Sequence, residues 1–323
     1  MHPGARVFVA GHRGLVGSAM HRRLSHAGYR NLLLRTRDEL DLRDRAAVWQ
    51  FFAGERPEYV VLAAAKVGGI HANSACPAGF ISENLLIQSN VIDASHAFGV
   101  TRLLFLGSSC IYPRLCPQPI REEYLLTGPL EPTNRPYAIA KIAGIEQCWA
   151  YNRQYGTRFL AAMPTNLYGP EDNFDLRNSH VLPALLRKVA MAKAGGAKQV
   201  EVWGTGTPRR EFLYSDDLAD ACIFLLELDE LRFATLLRED QPPLVNIGTG
   251  EDVTIRELAE LICGLLGFTG QLAFDPIQPD GTPRKLLDVS RMRALGWQSK
   301  ISLPEGIQRT YAAMGNQSTS TIT

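Results

Sequence analysis

The stretch VFVAGHRGLVGSAM, residues 7–20, decides the fold class of this chain. It joins a short apolar run to a helical pattern through three glycines in the spacing G-x-x-G-x-x-G. Glycines permit a tight turn and a close approach of the backbone to a pyrophosphate, and the following helix N-terminus supplies free N–H donors. The stretch therefore predicts a dinucleotide site, with a tight turn that binds nothing as the alternative. The predicted site comprises Gly11, His12, Arg13, Gly14, Leu15, Val16 and Gly17.

Around this stretch, short apolar runs alternate with helical patterns. The runs ARVFVA, NLLLR, YVVLAA, RLLFLG and RFLAAM have the composition of buried parallel strands. Helices are expected between them, near residues 15–26, 43–55, 78–98 and 136–155. Strands that alternate with helices indicate a right-handed, doubly wound parallel sheet of the Rossmann type, and hence the α/β class.

The end of the second strand bears on the choice of dinucleotide. An acidic residue there binds the ribose 2′-hydroxyl of NAD, whereas arginine accommodates the 2′-phosphate of NADP. The sequence LLLRTRDEL offers Arg35 and Arg37, and the glycine loop adds Arg13. These arginines favour NADP(H) as the cofactor. They could instead be solvated surface residues, with Asp38 or Glu39 serving NAD.

Composition excludes several classes of function. The chain has 323 residues, 46% of them hydrophobic, and a net charge of +1, so it has no basic field for nucleic acid or an anionic membrane. Its six cysteines form no C-x-x-C pair and no zinc-ligand spacing, so we expect reduced thiols and no metal. No apolar run reaches the ~18 residues of a membrane span, and the first residues lack the pattern of a leader. These features predict a cytosolic protein that acts on a small molecule.

After residue 170 the predicted strands and helices alternate less regularly. We expect residues 1–170 to form the NADP-binding Rossmann domain, with some later segments returning to it. Residues 171–314 are expected to form a smaller, mixed α/β substrate domain. The polar tail, residues 315–323, is expected to be disordered.

Within the second half, the patterns are shorter. A helix is expected near 181–193, strands near 199–203 and 211–214, and then a helix whose N-cap is Asp216. A polar stretch, 229–243, precedes the strand LVNIG and the helix TIRELAELICGLLG. We expect this half to lie over the carboxyl edge of the sheet.

A tyrosine and a lysine four residues apart form a candidate catalytic pair. Tyr137 and Lys141 in PYAIAKIAG stand at the start of a predicted helix, so both lie on one face. An ammonium near a phenol lowers the phenol's pKa from ~10 toward neutrality. A tyrosine so tuned exchanges protons readily with a carbonyl oxygen. The pattern is common, and a surface pair is the alternative.

The segment GSSCIYP, residues 107–113, follows the predicted fourth strand. If it is extended, side chains two residues apart point to the same side. Ser108 and Cys110 would then face one cavity, and Ser109 would face away. Cys110 could equally be a small buried hydrophobic residue.

The segment MPTNLYGP follows the predicted fifth strand. Ligands of doubly wound sheets bind at the carboxyl edge, so these residues are expected to border the nicotinamide, unless they form a simple turn. The residues concerned are Pro164, Thr165, Asn166 and Leu167, with Asn166 the expected polar contact.

In this order and spacing, the glycine loop, the serine and the tyrosine–lysine pair resemble the extended branch of the short-chain dehydrogenase/reductase superfamily, which modifies nucleotide sugars. The resemblance implies that Tyr137 donates or accepts a proton, Lys141 holds the nicotinamide ribose and tunes the tyrosine, and Ser108 orients the substrate oxygen. It also implies cofactor contacts from Leu106, Gly107, Ser108, Ser109, Lys141 and His180.

Further motifs, from VAGHRGLVGSA through LAAAKVGGI, LGSSCIYP and NSHVLPALLRK to PDGTPRKLLDVS, are similar to those of the GDP-L-fucose synthase family. These enzymes convert GDP-4-keto-6-deoxy-D-mannose into GDP-L-fucose with NADPH, inverting C3 and C5 and reducing C4. The resemblance implies that Cys110 is a base and His180 an acid in the inversion. From the sequence alone, His180 could instead cap or pack against the next helix. Which of the two acts at C3 and which at C5 stays open.

The resemblance also implies substrate contacts and an assembly. Cations and an aromatic ring suit a diphosphate and a guanine. The implied contacts are Lys188, Trp203, Arg210 and Asp280, with Arg209 an alternative to Arg210 as the diphosphate clamp. The implied assembly is a homodimer in which helices 78–98 and 136–155 of both copies pair across a two-fold axis.

Overall fold

The computed structural model describes residues 1–176, 179–278 and 280–319 of the chain. In chain order, the strands are β1 (Val7–Ala10), β2 (Leu32–Leu33), β3 (Tyr59–Leu62), β4 (Arg102–Leu106), β5 (Phe159–Pro164), β6 (Asn166–Tyr168), β7 (Gln199–Trp203), β8 (Arg209–Arg210), β9 (Phe212–Tyr214), β10 (Leu244–Ile247), β11 (Val253–Thr254), β12 (Gln271–Asp275) and β13 (Arg284–Lys285). The helices are α1 (Leu15–His26), α2 (Arg45–Glu55), α3 (Ile70–Ala75), α4 (Pro77–Ala97), α5 (Arg135–Tyr155), α6 (Val181–Ala194), α7 (Ser215–Glu227), α8 (Glu230–Ala234), α9 (Ile255–Leu266), α10 (Ser290–Ala294) and α11 (Leu303–Thr319).

A parallel sheet of six strands forms the centre of the molecule, in the order β10-β5-β4-β3-β1-β2. Every pairing in this sheet is parallel. The chain runs outward from β1 to β2 and then returns to place β3 on the other side of β1. This reversal opens a crevice at the carboxyl ends of β1 and β3. The predicted Rossmann-type α/β fold is confirmed.

Helices cover both faces of the sheet, because its strands are apolar on both sides. On one face, Met20 of α1 and Leu218 of α7 are fully buried against the strands. On the other, Phe52 of α2, Val91 of α4 and Ile145 of α5 are fully buried. The sheet is therefore the middle of three layers, and only its ends are open to ligands.

A second hydrophobic core lies in the later part of the chain. It is built mainly from α6, α9 and the short strands β7 and β9, with Leu186, Val202 and Leu258 buried at its centre. Strand β7 pairs with β12, β8 pairs with β11 and β13, and β6 pairs with β9. Helix α9 begins with a capping box, in which Thr254 and Glu257 each bind the other's backbone N–H.

The chain crosses between the two cores several times, so residue 170 does not divide them cleanly. Helix α7 packs on α1, where Arg22 binds Asp216 at 2.7 Å and Arg23 binds Asp220 at 2.6 Å. Strand β10, expected in the second half, is the edge strand of the central sheet. Residues as late as Trp297 are buried in the first core.

One local prediction in this half was wrong. Asp216 is not the N-cap of α7, because the helix already begins at Ser215 and Tyr214 is its N-cap. The acidic side chain lies in the first helical turn, where it favours the helix dipole. The polar stretch 229–243 contains helix α8, whose first turn is capped by Asp229.

The first part of the polar tail continues the last helix. Helix α11 continues to Thr319, so residues 315–319 have helical backbone where disorder was expected. A helix that has already begun extends at low cost into a polar segment, because each added residue gains a backbone hydrogen bond. Residues 320–323 lie outside the described residues.

Candidate active site

One cavity of about 710 Å³ lies at the carboxyl edge of the central sheet. It brings together segments that follow β1, β3, β4 and β5, as the topology requires. Of the residues predicted for the site, those that line the cavity are Gly11, Gly14, Leu15, Val16, Gly17, Arg35, Arg37, Leu106, Gly107, Ser108, Ser109, Tyr137, Lys141, Pro164, Thr165, Asn166, Leu167 and His180. Those outside its lining are His12, Arg13, Cys110, Lys188, Trp203, Arg210 and Asp280.

The glycine loop has no room for side chains. A Cβ at Gly17 would lie 2.0 Å from the carbonyl oxygen of Gly11, and one at Gly11 would lie 2.8 Å from the Cα of Ala64. Gly11 also has φ of 86°, which other residues rarely adopt. At the N-cap of α1, Gly14 supplies no side-chain acceptor for the first N–H groups of the helix, and residues 14–17 line the cavity. This cradle fits a dinucleotide pyrophosphate.

The two arginines after β2 differ in their freedom. Arg35 forms an ion pair with Glu55, and its guanidinium lies 5.4 Å from the ring centroid of Phe51. The side chain of Arg37 is 67% exposed, and a guanidinium nitrogen lies 3.9 Å from a carboxylate oxygen of Glu83. Arg37 is therefore the better placed of the two to receive a 2′-phosphate.

His12 and Arg13 flank the cavity without lining it. Arg13 is exposed to solvent. Burial, followed by the charge of Arg13, lowers the pKa of His12. Within the part of the chain that the structure describes, the Nδ1 atom of His12 is buried and has no hydrogen-bond partner.

Sequence reasoning missed a charged group on the far wall. Lys66, just after β3, lines the cavity and binds Glu83 of α4. Arg43 also approaches Glu83, with 3.4 Å between nitrogen and oxygen. The position of Lys66 at the end of a parallel strand was the available signal, because ligand contacts gather at that edge.

The segment after β4 is not extended as predicted. Residues 109–111 form a single 3₁₀ turn, and the hydroxyl oxygen of Ser108 accepts a 3.4 Å hydrogen bond from the N–H of Cys110. A serine that binds backbone two residues ahead favours such a turn over a strand. As a result, both Ser108 and Ser109 line the cavity, and the expectation that Ser109 faces away was wrong.

Cys110 lies behind the cavity wall with 5% of its surface exposed. Burial raises the pKa of its thiol, while the charges of Lys285 and Lys141 and a hydrogen bond with Ser108 lower it. Cys110 is thus packed like a small buried residue, which was the alternative interpretation from the sequence. Its surroundings are nevertheless polar and cationic.

Tyr137 and Lys141 stand in the first two turns of α5 and face the cavity together. The ammonium of Lys141 donates a 2.7 Å hydrogen bond to the carbonyl oxygen of Leu106 and lies 5.8 Å from the ring centroid of Tyr137. Burial lowers the pKa of Lys141 to about 8.

The expected lowering of the tyrosine pKa is not observed. Burial raises the pKa of Tyr137, and the nearby Cys110 raises it further. Desolvation of a phenolate in this site outweighs the attraction of an ammonium that is held by a backbone carbonyl. Tyr137 is consequently a protonated phenol at neutral pH.

His180 is the N-cap residue of α6, and its side chain makes no capping hydrogen bond. It lines the same cavity as Ser108 and Tyr137. Its ring is open to the cavity but closely surrounded by protein, and this burial lowers its pKa, with a further lowering from Lys285. Nearby, burial raises the pKa of Asp172 to about 7.

The predicted substrate contacts form a second group beside the cavity. The Lys188 ammonium donates a 3.0 Å hydrogen bond to the Glu201 carbonyl and lies 5.2 Å from the ring centroid of Trp203. Trp203 is 52% exposed, so one ring face is accessible for stacking. Asp280 accepts a 2.8 Å hydrogen bond from the N–H of Thr205.

The structure separates the two candidate clamps for a diphosphate. Arg209 is engaged by Asp252 at 2.8 Å. Arg210 donates to the carbonyl oxygen of Arg209 at 2.8 Å and, among the described residues, has no carboxylate within ion-pair distance. Burial lowers the pKa of Arg210. Among the described residues Arg210 therefore has no carboxylate partner, whereas the guanidinium of Arg209 is held in an ion pair with Asp252.

All six cysteines are free thiols. Within residues 1–176, 179–278 and 280–319, no group of three His, Cys, Asp or Glu side chains could hold a metal ion, and no helix has the length and apolarity to cross a membrane.

Comparisons with known proteins agree with this architecture. Residues 7–235 match the model of the NAD dependent epimerase/dehydratase family. GDP-L-fucose synthase 1 of Arabidopsis thaliana is 59% identical over 95% of this chain and 92% of its own length. GDP-L-fucose synthase of Escherichia coli (strain K12) is 58% identical over 95% of both. The GDP-mannoheptose C4 reductase from Campylobacter jejuni with NADP bound superposes with a TM-score of 0.89, at 42% identity, over 98% of this chain and 99% of that chain. The chain belongs to the NAD dependent epimerase/dehydratase family, within the branch formed by the GDP-L-fucose synthases.

Proposed function

We infer that this protein converts GDP-4-keto-6-deoxy-D-mannose into GDP-L-fucose, inverting C3 and C5 and reducing the C4 ketone with NADPH. The observation that carries this inference is the convergence of the glycine cradle, Ser108, Tyr137, Lys141 and His180 on one cavity. The high identity to two GDP-L-fucose synthases supports the choice of sugar.

The residues of the cavity edge would hold the cofactor. Gly11 and Gly17 would bring the backbone against the pyrophosphate, Arg37 would pair with the 2′-phosphate, and Lys141 would bind the nicotinamide ribose. NADPH, when bound, supplies the hydride that reduces C4. The protein's own contribution is to place the C4 oxygen and to provide the protons.

The hydroxyls of Ser108 and Tyr137 serve both parts of the reaction. C3 and C5 flank the C4 ketone, so removal of a proton from either carbon places negative charge on the C4 oxygen. Two donors directed at that oxygen stabilise the enolate and also the alkoxide that forms on reduction. Because burial raises the pKa of Tyr137, the phenol stays protonated and can donate its proton to the C4 oxygen.

Inversion requires proton exchange on both faces of a carbon, and Cys110 and His180 are the groups assigned to it. His180 lines the cavity directly, and its lowered pKa makes it a ready proton donor once protonated. Cys110 reaches the site from behind Ser108. Arg210 clamps the diphosphate, and the exposed face of Trp203 stacks on the guanine, with Lys188 and Asp280 alongside.

A simple C4 reductase is the second candidate, favoured by the similarity to the Campylobacter jejuni C4 reductase. The presence of both a thiol and an imidazole at the C4 donors favours the epimerase. The two candidates are separated by incubating the protein with GDP-4-keto-6-deoxy-D-mannose in heavy water, with and without NADPH, and following deuterium at C3 and C5 by NMR. Exchange at both carbons without cofactor oxidation is expected. NADPH consumption without exchange would leave only the reductase.

A homodimer and a cytosolic location complete the proposal. Helices α4 and α5 pack on each other, and Leu86 of α4 and Ile139 of α5 are 49% and 38% exposed, which supports a four-helix interface between two copies. Light scattering during size-exclusion chromatography should give twice the chain mass, and a monomer mass contradicts the interface. The absence of a membrane-spanning helix among the described residues is compatible with the cytosol.

A further inference from the structure

Lys285 is a partly buried lysine at the end of strand β13, and the strand determines to which side its side chain points. Strand β13 pairs in parallel with β8, so that Arg284 lies opposite Arg209 and Lys285 opposite Arg210. Arg284 and Arg209 both bind Asp252, which identifies one face of this pair. Because alternate side chains of a strand face opposite sides, Lys285 shares the other face with Arg210.

The chain at the end of β13 also pairs with the segment that follows Cys110. The Leu286 N–H donates to the side-chain oxygen of Gln118 at 3.0 Å, and the Ile120 N–H donates to the Leu286 carbonyl at 2.7 Å. Residues 118–120 therefore run beside the end of β13. The loop that begins at Cys110 is bound to the strand that carries Lys285.

The titratable and charged groups whose charges interact with that of Lys285 are Cys110, Arg210, Glu131 and Cys116. Its charge also acts on His180 across the cavity. Glu131 is already paired with Arg114 at 3.2 Å. Among the described residues, no acceptor lies within hydrogen-bond distance of the Lys285 ammonium, so its charge is not neutralised by a direct partner.

We propose that Lys285 is a positioning residue for the inversion chemistry: its ammonium faces Cys110 and stabilises the thiolate that removes a proton from the sugar. This inference rests on the proposed function, because only an epimerase needs a thiolate here. Lys285 need not touch the reacting carbons. It acts through Cys110, and through its charge on His180.

The electrostatics around the thiol are consistent with this role. A thiol is mostly protonated at neutral pH, and burial raises the pKa of Cys110 further. The charge of Lys285 is the largest influence that opposes this rise. Burial lowers the pKa of Lys285, and Cys110 raises it again, as expected of a lysine that gains from an anionic neighbour. Lys141, the other cation near Cys110, is committed to the Leu106 carbonyl.

The proton balance of the step is closed. The thiolate of Cys110 takes the proton from the carbon beside the ketone, and the electron pair of that bond moves onto the C4 oxygen, where Ser108 and Tyr137 hold it. The imidazolium of His180 then returns a proton to the other face of the carbon. Exchange with water restores the thiolate and the imidazolium.

The first test measures the thiol without using the reaction. Wild-type protein and variants Lys285→Met and Lys285→Arg are alkylated with a small thiol reagent from pH 6 to 10, and modification of each cysteine is followed by peptide mass spectrometry. Loss of a nearby positive charge raises a thiol pKa by roughly one unit or more, so alkylation of Cys110 at pH 7.5 should fall about tenfold in Lys285→Met. The Lys285→Arg variant should restore it.

Two internal controls accompany this measurement. Cys76 is exposed and lies on another part of the chain, so its alkylation profile should not change in either variant. The variant Lys198→Met removes an exposed lysine and should leave the Cys110 profile unchanged. If Lys285→Met fails to fold, as judged by its thermal transition, Lys285→Gln removes the same charge with a polar amide.

The second test measures the pH dependence of deuterium exchange at C3 and C5. Removal of a cation raises the pKa of both Cys110 and His180, so both limbs of the profile should move to higher pH in Lys285→Met. An unchanged Cys110 profile together with a raised KM for the GDP-sugar overturns the proposal, because Lys285 is then a diphosphate contact beside Arg210. If the wild-type protein exchanges no deuterium, the proposed epimerase function fails, and the alkylation profile still reports whether Lys285 and Cys110 are coupled.

Discussion

Replacement of Glu211 by glutamine should strongly destabilise this protein, because one buried carboxylate binds two separate segments, at residues 249–250 and at residue 287. Glu211 has no exposed surface. One of its carboxylate oxygens accepts hydrogen bonds from the N–H groups of Thr249 at 2.6 Å and Gly250 at 2.7 Å. The other accepts from the N–H of Leu287 at 2.9 Å, next to the end of β13. Its backbone oxygen accepts from the side chain of Asn166 at the cavity.

These hydrogen bonds determine how much free energy of unfolding the substitution removes. Glutamine has the same shape but only one acceptor oxygen, so its amide group would face at least one of the three N–H donors. A buried donor left without an acceptor costs about 1–3 kcal/mol, and the remaining bonds lose the strength that a charged acceptor gives. Together these effects predict a loss of about 2–4 kcal/mol, a large part of the stability of a typical domain.

Urea denaturation followed by tryptophan fluorescence measures this loss as a shift of the unfolding midpoint. The control is Glu239→Gln, which changes an exposed carboxylate and should leave the free energy of unfolding within about 0.5 kcal/mol of the wild type. If Glu211→Gln also stays within that margin, the three bonds do not stabilise the junction, and the reasoning is refuted.

Three further predictions follow from the cavity. Gly17→Ala places a Cβ 2.0 Å from the Gly11 carbonyl oxygen and should weaken NADPH binding at least tenfold in a fluorescence titration. Gly264→Ala, whose Cβ would have no atom within 4 Å, should not weaken it. Equal NADPH affinities of the two variants would show that the glycine loop does not bind the pyrophosphate. Arg37→Ala should lower the preference for NADPH over NADH by about tenfold or more, because it removes a charged hydrogen bond to phosphate. Arg35→Ala should alter that preference less, since Arg35 is bound to Glu55, and the reverse order would assign the phosphate to Arg35. Burial raises the pKa of Asp172 to about 7, so between pH ~4 and 7 its carboxyl group is protonated in the folded state and ionised in the unfolded state. The contribution of Asp172 to stability therefore falls as pH rises through that range. The free energy of unfolding of Asp172→Asn should therefore exceed that of the wild type by about 2–4 kcal/mol more at pH 7.5 than at pH 4.5. A difference between their urea midpoints that does not change with pH would contradict the raised pKa.

Individual helices and the way the chain returns to the first core differ in how far the sequence predicts them. The periodic segments 15–26 and 181–193 became α1 and α6 almost without change, because helical periodicity is a local property. The return of α7 and β10 to the first core had no local signal at those positions. It depends on which apolar face remains uncovered when the sheet forms, and this is known only after the chain has folded.

The site divides in the same way. The turn geometry of the glycine loop and the shared helix face of Tyr137 and Lys141 follow from neighbouring residues, so the sequence alone determined both. The pKa of Tyr137 was predicted in the wrong direction, since it depends on how deeply the phenol is buried. Likewise, the sequence favoured Arg210 as the diphosphate clamp but left Arg209 as an alternative, and only the position of Asp252 separates them.

The amino-acid sequence by itself therefore determined the fold class, the dinucleotide cradle and the type of chemistry, because each is written in residues that are close together along the chain. The tertiary structure decided the junction at Glu211 and the approach of Lys285 to Cys110. Those features join residues 38 to 175 positions apart. Burial and electrostatic interactions depend on distance in space, so such residues affect each other only after folding has brought them together.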